Sequence, residues 1–342
     1  MAQVMRYRQL GHTGVQVSTL CLGTMLFGPW GNPDHDDSIR IIHRALDAGI
    51  NLVDTADVYA AGEAEEIVGK ALRRRRDDVV LATKFHGPMG DDRNRRGTSR
   101  RWIVRAVEDS LRRLGTDWID LYQVHRPELD VDIDETLGAL TDLVRSGKVR
   151  YLGSSTFPAH AIVEAQWTAQ RRNRERFVCE QPPYSMLVRG IEADVLPVCE
   201  RHGMGVICWS PLAGGWLSGR DDLTKPGSNR AERIPLRFDM SLAGNQAKLE
   251  AARALAGVAA DAGLEPIHMA LAFVTNHPGV TSAIIGCRTM AQLESQLGAA
   301  DVDLDAAVLD RIDEIVPPGT NLNPADAGWT PPSVSDPGRR RR

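Results

Sequence analysis

The 342-residue chain has no C-x-x-C pair, and its five cysteines, at positions 21, 179, 199, 208 and 287, have no histidine beside them at zinc-ligand spacing. Neither a disulfide framework nor a zinc site is expected, and the chain reads as reduced and metal-free. It also lacks an excess of either charge: Lys+Arg total 41 against Asp+Glu 45, a formal net charge of −4. No global positive field is available to recruit nucleic acid or an anionic membrane. No window approaches the roughly 20 uninterrupted apolar residues of a membrane-spanning helix. The first ten residues place Arg6 and Arg8 among polar neighbours, where a secretory signal needs an apolar core. The expectation is a cytoplasmic protein that binds neither membrane nor nucleic acid. With 42% hydrophobic and 25% charged residues it can bury a large core.

Short apolar runs alternate with longer stretches of helical period almost to the end of the chain. The runs are 19–23, 50–54, 79–83, 119–124, 149–154, 177–181, 206–210 and 282–286. Between them Ile103, Val107, Leu111 and Leu114 mark one helix face, Leu137, Leu140 and Val144 another, and Ala252, Leu255, Ala256 and Ala259 a third. Thr98 or Ser99 can cap the helix from Arg100, Pro158 and Pro266 suit a first helical turn, and Gly49, Gly115, Gly147 and Gly203 stand where helices should stop. Eight strand–helix units with apolar strands predict a parallel (β/α)₈ barrel of the TIM type. The rival is a doubly wound open sheet, but the G-x-G-x-x-G fingerprint is missing after the first run, where Leu22-Gly23-Thr24-Met25 leads to Phe27-Gly28-Pro29-Trp30.

Tyr7–Leu10 and Val15–Ser18 flank Gly11-His12-Thr13-Gly14, a hairpin within residues 5–18 that could plug the barrel bottom. A long excursion, Leu212 to Gly244, is rich in Gly, Pro, Arg and Asp. Residues 1–316 read as a single barrel domain, with extra helices near its C-terminus. Residues 317–342 read as a partly disordered Pro/Arg-containing tail.

Active sites of such barrels lie at the C-terminal ends of the strands. Asp54, Lys84 and His125 end the second, third and fourth runs, and Tyr59 follows Asp54 by five residues. Each is unremarkable alone; four on one rim suggest chemistry. Lys84 is one of only five lysines in an arginine-dominated chain, which points to a need for a compact ammonium in a partly buried site.

At this point the chain resembles the aldo-keto reductase superfamily, in the branch similar to potassium-channel β subunits and bacterial sugar-aldehyde reductases. The resemblance spans about residues 5 to 320. It rests on Asp54-Thr55-Ala56-Asp57-Val58-Tyr59, Glu65-Glu66-Ile67-Val68-Gly69, Thr83-Lys84, Asp120 to Pro127, Gly147 to Gly153, Glu180-Gln181-Pro182-Pro183-Tyr184 and Trp209-Ser210-Pro211-Leu212, in that order. It implies NADPH-dependent reduction of an aldehyde or ketone, sugar-derived ones included, with Asp54, Tyr59, Lys84 and His125 as a catalytic tetrad. Tyr59 would give the proton, Lys84 would lower its pKa, Asp54 would hold Lys84, and His125 would orient the substrate oxygen.

The resemblance also implies where NADP(H) would bind. Gly23, Thr24, Met25 and Asp54 would meet the nicotinamide ribose, Ser155, Thr156 and Gln181 the carboxamide, and Trp209 the nicotinamide face. Thr156 departs from the family's usual asparagine. Ser210, Pro211, Leu212, Gly214, Leu217, Gly219 and Arg220 would hold the pyrophosphate, and Arg230 would close over it. Gly286, Arg288, Gln292 and Gln296 would take the adenosine 2′-phosphate and adenine, with Arg288 favouring NADP and Ser295-Gln296 departing from the common Glu-Asn pair. Trp30 and His86, with Trp102 and Trp329, could wall the substrate pocket beside Tyr59 and His125.

Two motifs are set aside. Gly62 to Lys70 has the wrong spacing for a phosphate-binding P-loop, and the arginines at 93, 95, 96, 100 and 101 have no interleaved aromatics for base stacking. Two other functions remain open: an NADP(H)-binding redox sensor or regulatory subunit with little turnover, and a Schiff-base lyase using Lys84. The expected partner is a small carbonyl substrate; no apolar stripe makes an oligomer legible.

Overall fold

A computed structural model of the protein describes residues 5–220 and 232–339. Eight parallel strands close into one barrel: β3 (Leu20–Gly23), β4 (Leu52–Asp54), β5 (Val80–Phe85), β6 (Ile119–Val124), β7 (Val149–Ser155), β8 (Phe177–Gln181), β9 (Gly205–Cys208) and β10 (Ser282–Gly286). The strands are joined in chain order, and β10 pairs with β3 to complete the ring. This is the expected (β/α)₈ barrel. Five of the eight runs differ from the strands at one end or both, by where the hydrogen bonding starts or stops. The run from Ile50 becomes a strand only at Leu52, because the Ile50 N–H closes the preceding helix on Ala45 O. The run through Ser210 ends at Cys208. Trp209 N–H turns to Pro182 O, and Ser210 takes a left-handed φ of 57° before Pro211.

Helices follow the strands with the boundary chemistry the sequence carries. Ser99 accepts from the Trp102 N–H at the start of the helix Arg100–Leu114, which ends at left-handed Gly115. Its apolar face of Ile103, Val107, Leu111 and Leu114 is buried against the barrel. The same device recurs at Asp34, Asp132, Thr289 and Asp305, each of which caps a helix with its side chain. Among the described residues no single helix is long and apolar enough to cross a membrane.

The hairpin pairs β1 (Tyr7–Gln9) with β2 (Gln16–Ser18). Leu10 and Val17, both fully buried, pack with Cys21, Leu52, Ala82, Leu121, Cys179 and Ile207, one residue from each of six barrel strands. Gly11 at φ 53° lets the turn reach Gly203, whose oxygen would lie 2.6 Å from any added Cβ. The barrel interior is therefore closed with hydrocarbon at the strands' N-terminal ends, and its polar interior is confined to the other end.

Beyond Val316 the chain makes specific contacts. Asn321 bridges to Val188, Lys248 donates to Asp326 at 2.8 Å, and Arg339 meets Asp130 at 3.0 Å. Gly328, at φ 80°, lies so close to Trp209 that a Cβ would come within 2.5 Å of the indole. This segment thus borders the barrel mouth instead of leaving the molecule.

Leu10→Ala should lower folding stability by about 2–5 kcal/mol, because the plug sits in a closed cavity that cannot collapse. Urea unfolding with an unchanged m-value is the check. A loss below about 1 kcal/mol would mean that the barrel bottom is not sealed by the hairpin.

Candidate active site

The polar end of the barrel is organised by Lys84, the penultimate residue of β5. Its Nζ donates to Asp54 Oδ2 at 2.6 Å and to Thr55 O at 2.8 Å, and lies 3.4 Å from Tyr59 Oη. Lys84 is wholly buried and Asp54 nearly so. The Asp54 carboxylate is held from its other side, since Oδ1 accepts from Gln181 Nε2 at 2.8 Å and Gln123 Nε2 at 3.3 Å. The aspartate therefore receives three donors from three different strands. Such a pair survives burial only with this degree of hydrogen bonding.

Tyr59 reaches the site from the loop after β4. That loop turns sharply at Ala60 and Ala61, both left-handed at φ 49° and 54°. His125 follows β6 directly, its N–H bound to Phe85 O, and its ring stands edge-on to Tyr59 with centroids 5.8 Å apart. Trp30 lies 6.3 Å from the Tyr59 ring on another side. His86, with φ 136°, is 3.8 Å from Glu128. The four tetrad candidates and Trp30 are thus brought together. Trp102 is not: it is buried in the helix after Ser99 and lines a partly open pocket with Asp57, Met89 and Arg113. The helical cap that fixes Trp102 turns its side chain inward, away from the mouth.

Burial and charge set the protonation states. Burial raises the Tyr59 pKa, and the Lys84 ammonium only partly offsets that rise. The sequence expectation of a lowered pKa is corrected accordingly, because the desolvation of a phenolate outweighs one nearby cation. Burial opposes the charge on Lys84, but Asp54 and Tyr59 outweigh it and the pKa is raised. A lysine held charged in this way is a poor amine nucleophile. Burial first, then the charges of Lys84 and Arg126, push His125 well below its usual pKa, so its ring is neutral.

The expected nucleotide contacts surround this centre on neighbouring strand ends. Gly23 ends β3 in register with Gly286 of β10, where any Cβ would strike Ile284 at 2.5 Å. Thr24 uses its hydroxyl on Asp54 O at 3.1 Å, and Met25 is exposed. Ser155 Oγ donates to Gln181 O at 2.9 Å, and Thr156 takes a left-handed φ of 60°. Trp209 stands between the guanidinium groups of Arg126 and Arg237, at 5.9 Å and 5.4 Å from its ring centre. Ser210, Ala213, Gly214 and Gly219 all have positive φ, which turns the chain from Ser210 through Leu212 and Leu217 into a tight loop up to Arg220. Arg230 lies outside the described residues.

Past β10, Arg288 N–H donates to Gln292 Oε1 at 2.8 Å, and Gln296 Nε2 donates to Gln292 O at 2.9 Å. The buried Gln296 Oε1 and Trp209 Nε1 have no partner among the described residues. An orphaned acceptor past β10 and a loop of positive-φ residues fit a nucleotide cofactor. Gln123 and Arg126 were not singled out from sequence. Gln123 on β6 lies two residues before His125, which directly follows that strand, so the period-2 pattern is the signal that could find it.

The closed barrel thus carries Asp54, Tyr59, Lys84 and His125 together at its polar end. The sequence profile of the Aldo/keto reductase family matches residues 19–317, and the chain belongs to that family. It is 39% identical over 336 residues, covering 95% of this chain and 100% of the relative, to the uncharacterized oxidoreductase YrpG of Bacillus subtilis (strain 168). It is 35% identical to a probable voltage-gated potassium channel subunit beta of Arabidopsis thaliana, with 91% and 97% of the two chains covered. Aldo-keto reductase AMT2 of Alternaria alternata is 35% identical over 90% of each chain.

Glu180, buried behind Thr156, accepts from Ser154 Oγ and from the Phe157 N–H, yet desolvation still pushes its pKa up to about 7. The folded state therefore holds this proton more tightly than the unfolded chain. Its contribution to stability is complete below the unfolded value near 4.5 and is lost as pH rises through 7, a change on the order of 3 kcal/mol. Glu180→Gln should flatten the fall in stability between pH 5 and 8, read by urea unfolding. An identical slope in both proteins would remove Glu180 as its source.

Proposed function

We propose that the protein is an NADPH-dependent reductase that converts an aldehyde or ketone to an alcohol. The observation that carries this reading is the contact of one buried ammonium, Lys84, with both Asp54 and Tyr59, with His125 edge-on to the same phenol. When bound, the dinucleotide supplies the hydride. Charge then gathers on the substrate oxygen, which takes the proton from Tyr59 Oη. The phenolate left behind faces the Lys84 ammonium, and Asp54 keeps that ammonium charged and in place. Neutral His125 donates a hydrogen bond to the substrate oxygen and fixes its angle to Tyr59. Trp30 and His86 wall the site, and Trp209 offers its ring to the nicotinamide.

Positive-φ residues from Ser210 to Gly219 favour a phosphate-lined loop, and Arg288 at the start of the last strand–helix turn favours a 2′-phosphate. A second reading has its own support. Relatives named as potassium channel β subunits suggest a nucleotide-binding regulatory subunit, in which the same tetrad turns over little. Steady-state consumption of NADPH with simple aldehydes separates the two.

Tyr59→Phe should lower kcat by about 10²-fold or more while NADPH still quenches tryptophan fluorescence with wild-type affinity. Retained turnover would remove Tyr59 as the acid. Arg288→Ala should weaken NADPH about tenfold and leave NADH binding unchanged; equal weakening of both would assign Arg288 a structural role.

A further inference from the structure

Arg126 directly follows His125, just past the C-terminal end of β6. One of its nitrogens donates to the His125 carbonyl at 2.5 Å, and its guanidinium carbon lies 5.9 Å from the centre of the Trp209 ring. Its charge reaches both Tyr59 and His125 strongly enough to bias their protonation. Among the described residues no carboxylate lies within ion-pair distance of it, in contrast to Arg237, which meets Asp326 at 3.4 Å. Its remaining nitrogens are neither sealed from solvent nor bonded to described protein atoms, so they are open to a ligand.

A guanidinium has five N–H donors in a planar fork, and one carbonyl satisfies only one of them. Protein packing holds this group back from bulk water, and that burial lowers its pKa; the more distant Glu180 opposes the shift only weakly and forms no ion pair with it. A half-desolvated cation beside a reacting centre is worth most to a ligand that brings the missing charge. We propose that Arg126 is the anion anchor of the substrate site, so that preferred carbonyl substrates carry a carboxylate or phosphate group beyond the reacting carbon. This deepens the reductase reading and rests on it for the word substrate; the anion site itself does not.

The test compares paired aldehydes differing only in charge: 4-carboxybenzaldehyde against methyl 4-formylbenzoate, and glyceraldehyde 3-phosphate against glyceraldehyde. Wild type should favour the charged member of at least one pair through KM, by about tenfold or more, and the pair that responds distinguishes carboxylate from phosphate. Arg126→Gln should erase that ratio and Arg126→Lys keep part of it. Added KCl should raise KM for the charged member and leave its neutral partner's KM unchanged, a readout that needs no variant. Charged-to-neutral ratios near one for both pairs in wild type, or a preference that survives in Arg126→Gln, would overturn the proposal. If no aldehyde is reduced, the reductase reading fails separately. Calorimetric titration of terephthalate and of inorganic phosphate into the NADPH-loaded protein then decides. Binding lost in Arg126→Gln upholds the anion site, and absence of binding in wild type refutes it.

Discussion

The rest of the active end depends on one buried ion pair, Lys84 with Asp54, at 2.6 Å. Two charges withdrawn from water do little net work for stability, while the loss of one partner costs about 3–5 kcal/mol because the other is stranded. The pair is therefore better understood as a constraint than as a support. It can exist only if further hydrogen-bond partners converge on it, and they do: Gln181 from β8 and Gln123 from β6 donate to the Asp54 carboxylate, and the Thr55 carbonyl after β4 accepts from the Lys84 ammonium. Closure of the barrel is what brings these four strand ends within reach of each other. The opposite end meets the contrary condition, since Leu10 and Val17 fill it with hydrocarbon and leave no room for polar groups or water. A single tube is thus divided into a sealed apolar half that holds the strands together and a polar half in which charge can be arranged.

Much of this was legible because barrel geometry turns sequence position into spatial position. Asp54, Lys84 and His125 each end an apolar run, and a parallel barrel sends all such ends to one rim, so three distant residues could be assembled without coordinates. The hairpin was legible for a related reason: two short alternating segments around Gly11 and Gly14 have few other ways to fold. Reading failed where position along the chain no longer maps onto direction. Trp102 looked like a pocket wall, but the cap at Ser99 fixes a helix whose first turn points it inward. Gln123 was passed over as strand filler, although it faces the same interior as His125. The segment after Val316 has the composition of a loose tail, yet Asn321, Asp326 and Gly328 each find a specific partner on the barrel. No local pattern encodes those contacts, because each depends on a surface built by residues 78 or more positions away.

The same ion pair also decides where protons sit. Burial alone would raise the pKa of Tyr59 and lower those of Lys84 and His125, keeping all three neutral. Asp54 reverses the outcome for Lys84 alone, and the ammonium so retained opposes burial at Tyr59 while reinforcing it at His125. The result is a phenol that still holds its proton, a neutral imidazole and a fixed cation between them and the carboxylate. Burial thus keeps two of the three adjacent groups neutral, and one carboxylate makes the third a cation. Arg126 pushes Tyr59 and His125 in the same directions as Lys84, but among the described residues no carboxylate is close enough to form an ion pair with it. An inner cation neutralised by the protein and an outer one left open differ in what they can do. The inner one is reserved for charge that develops during reaction, and the outer one is available to charge that a ligand brings with it.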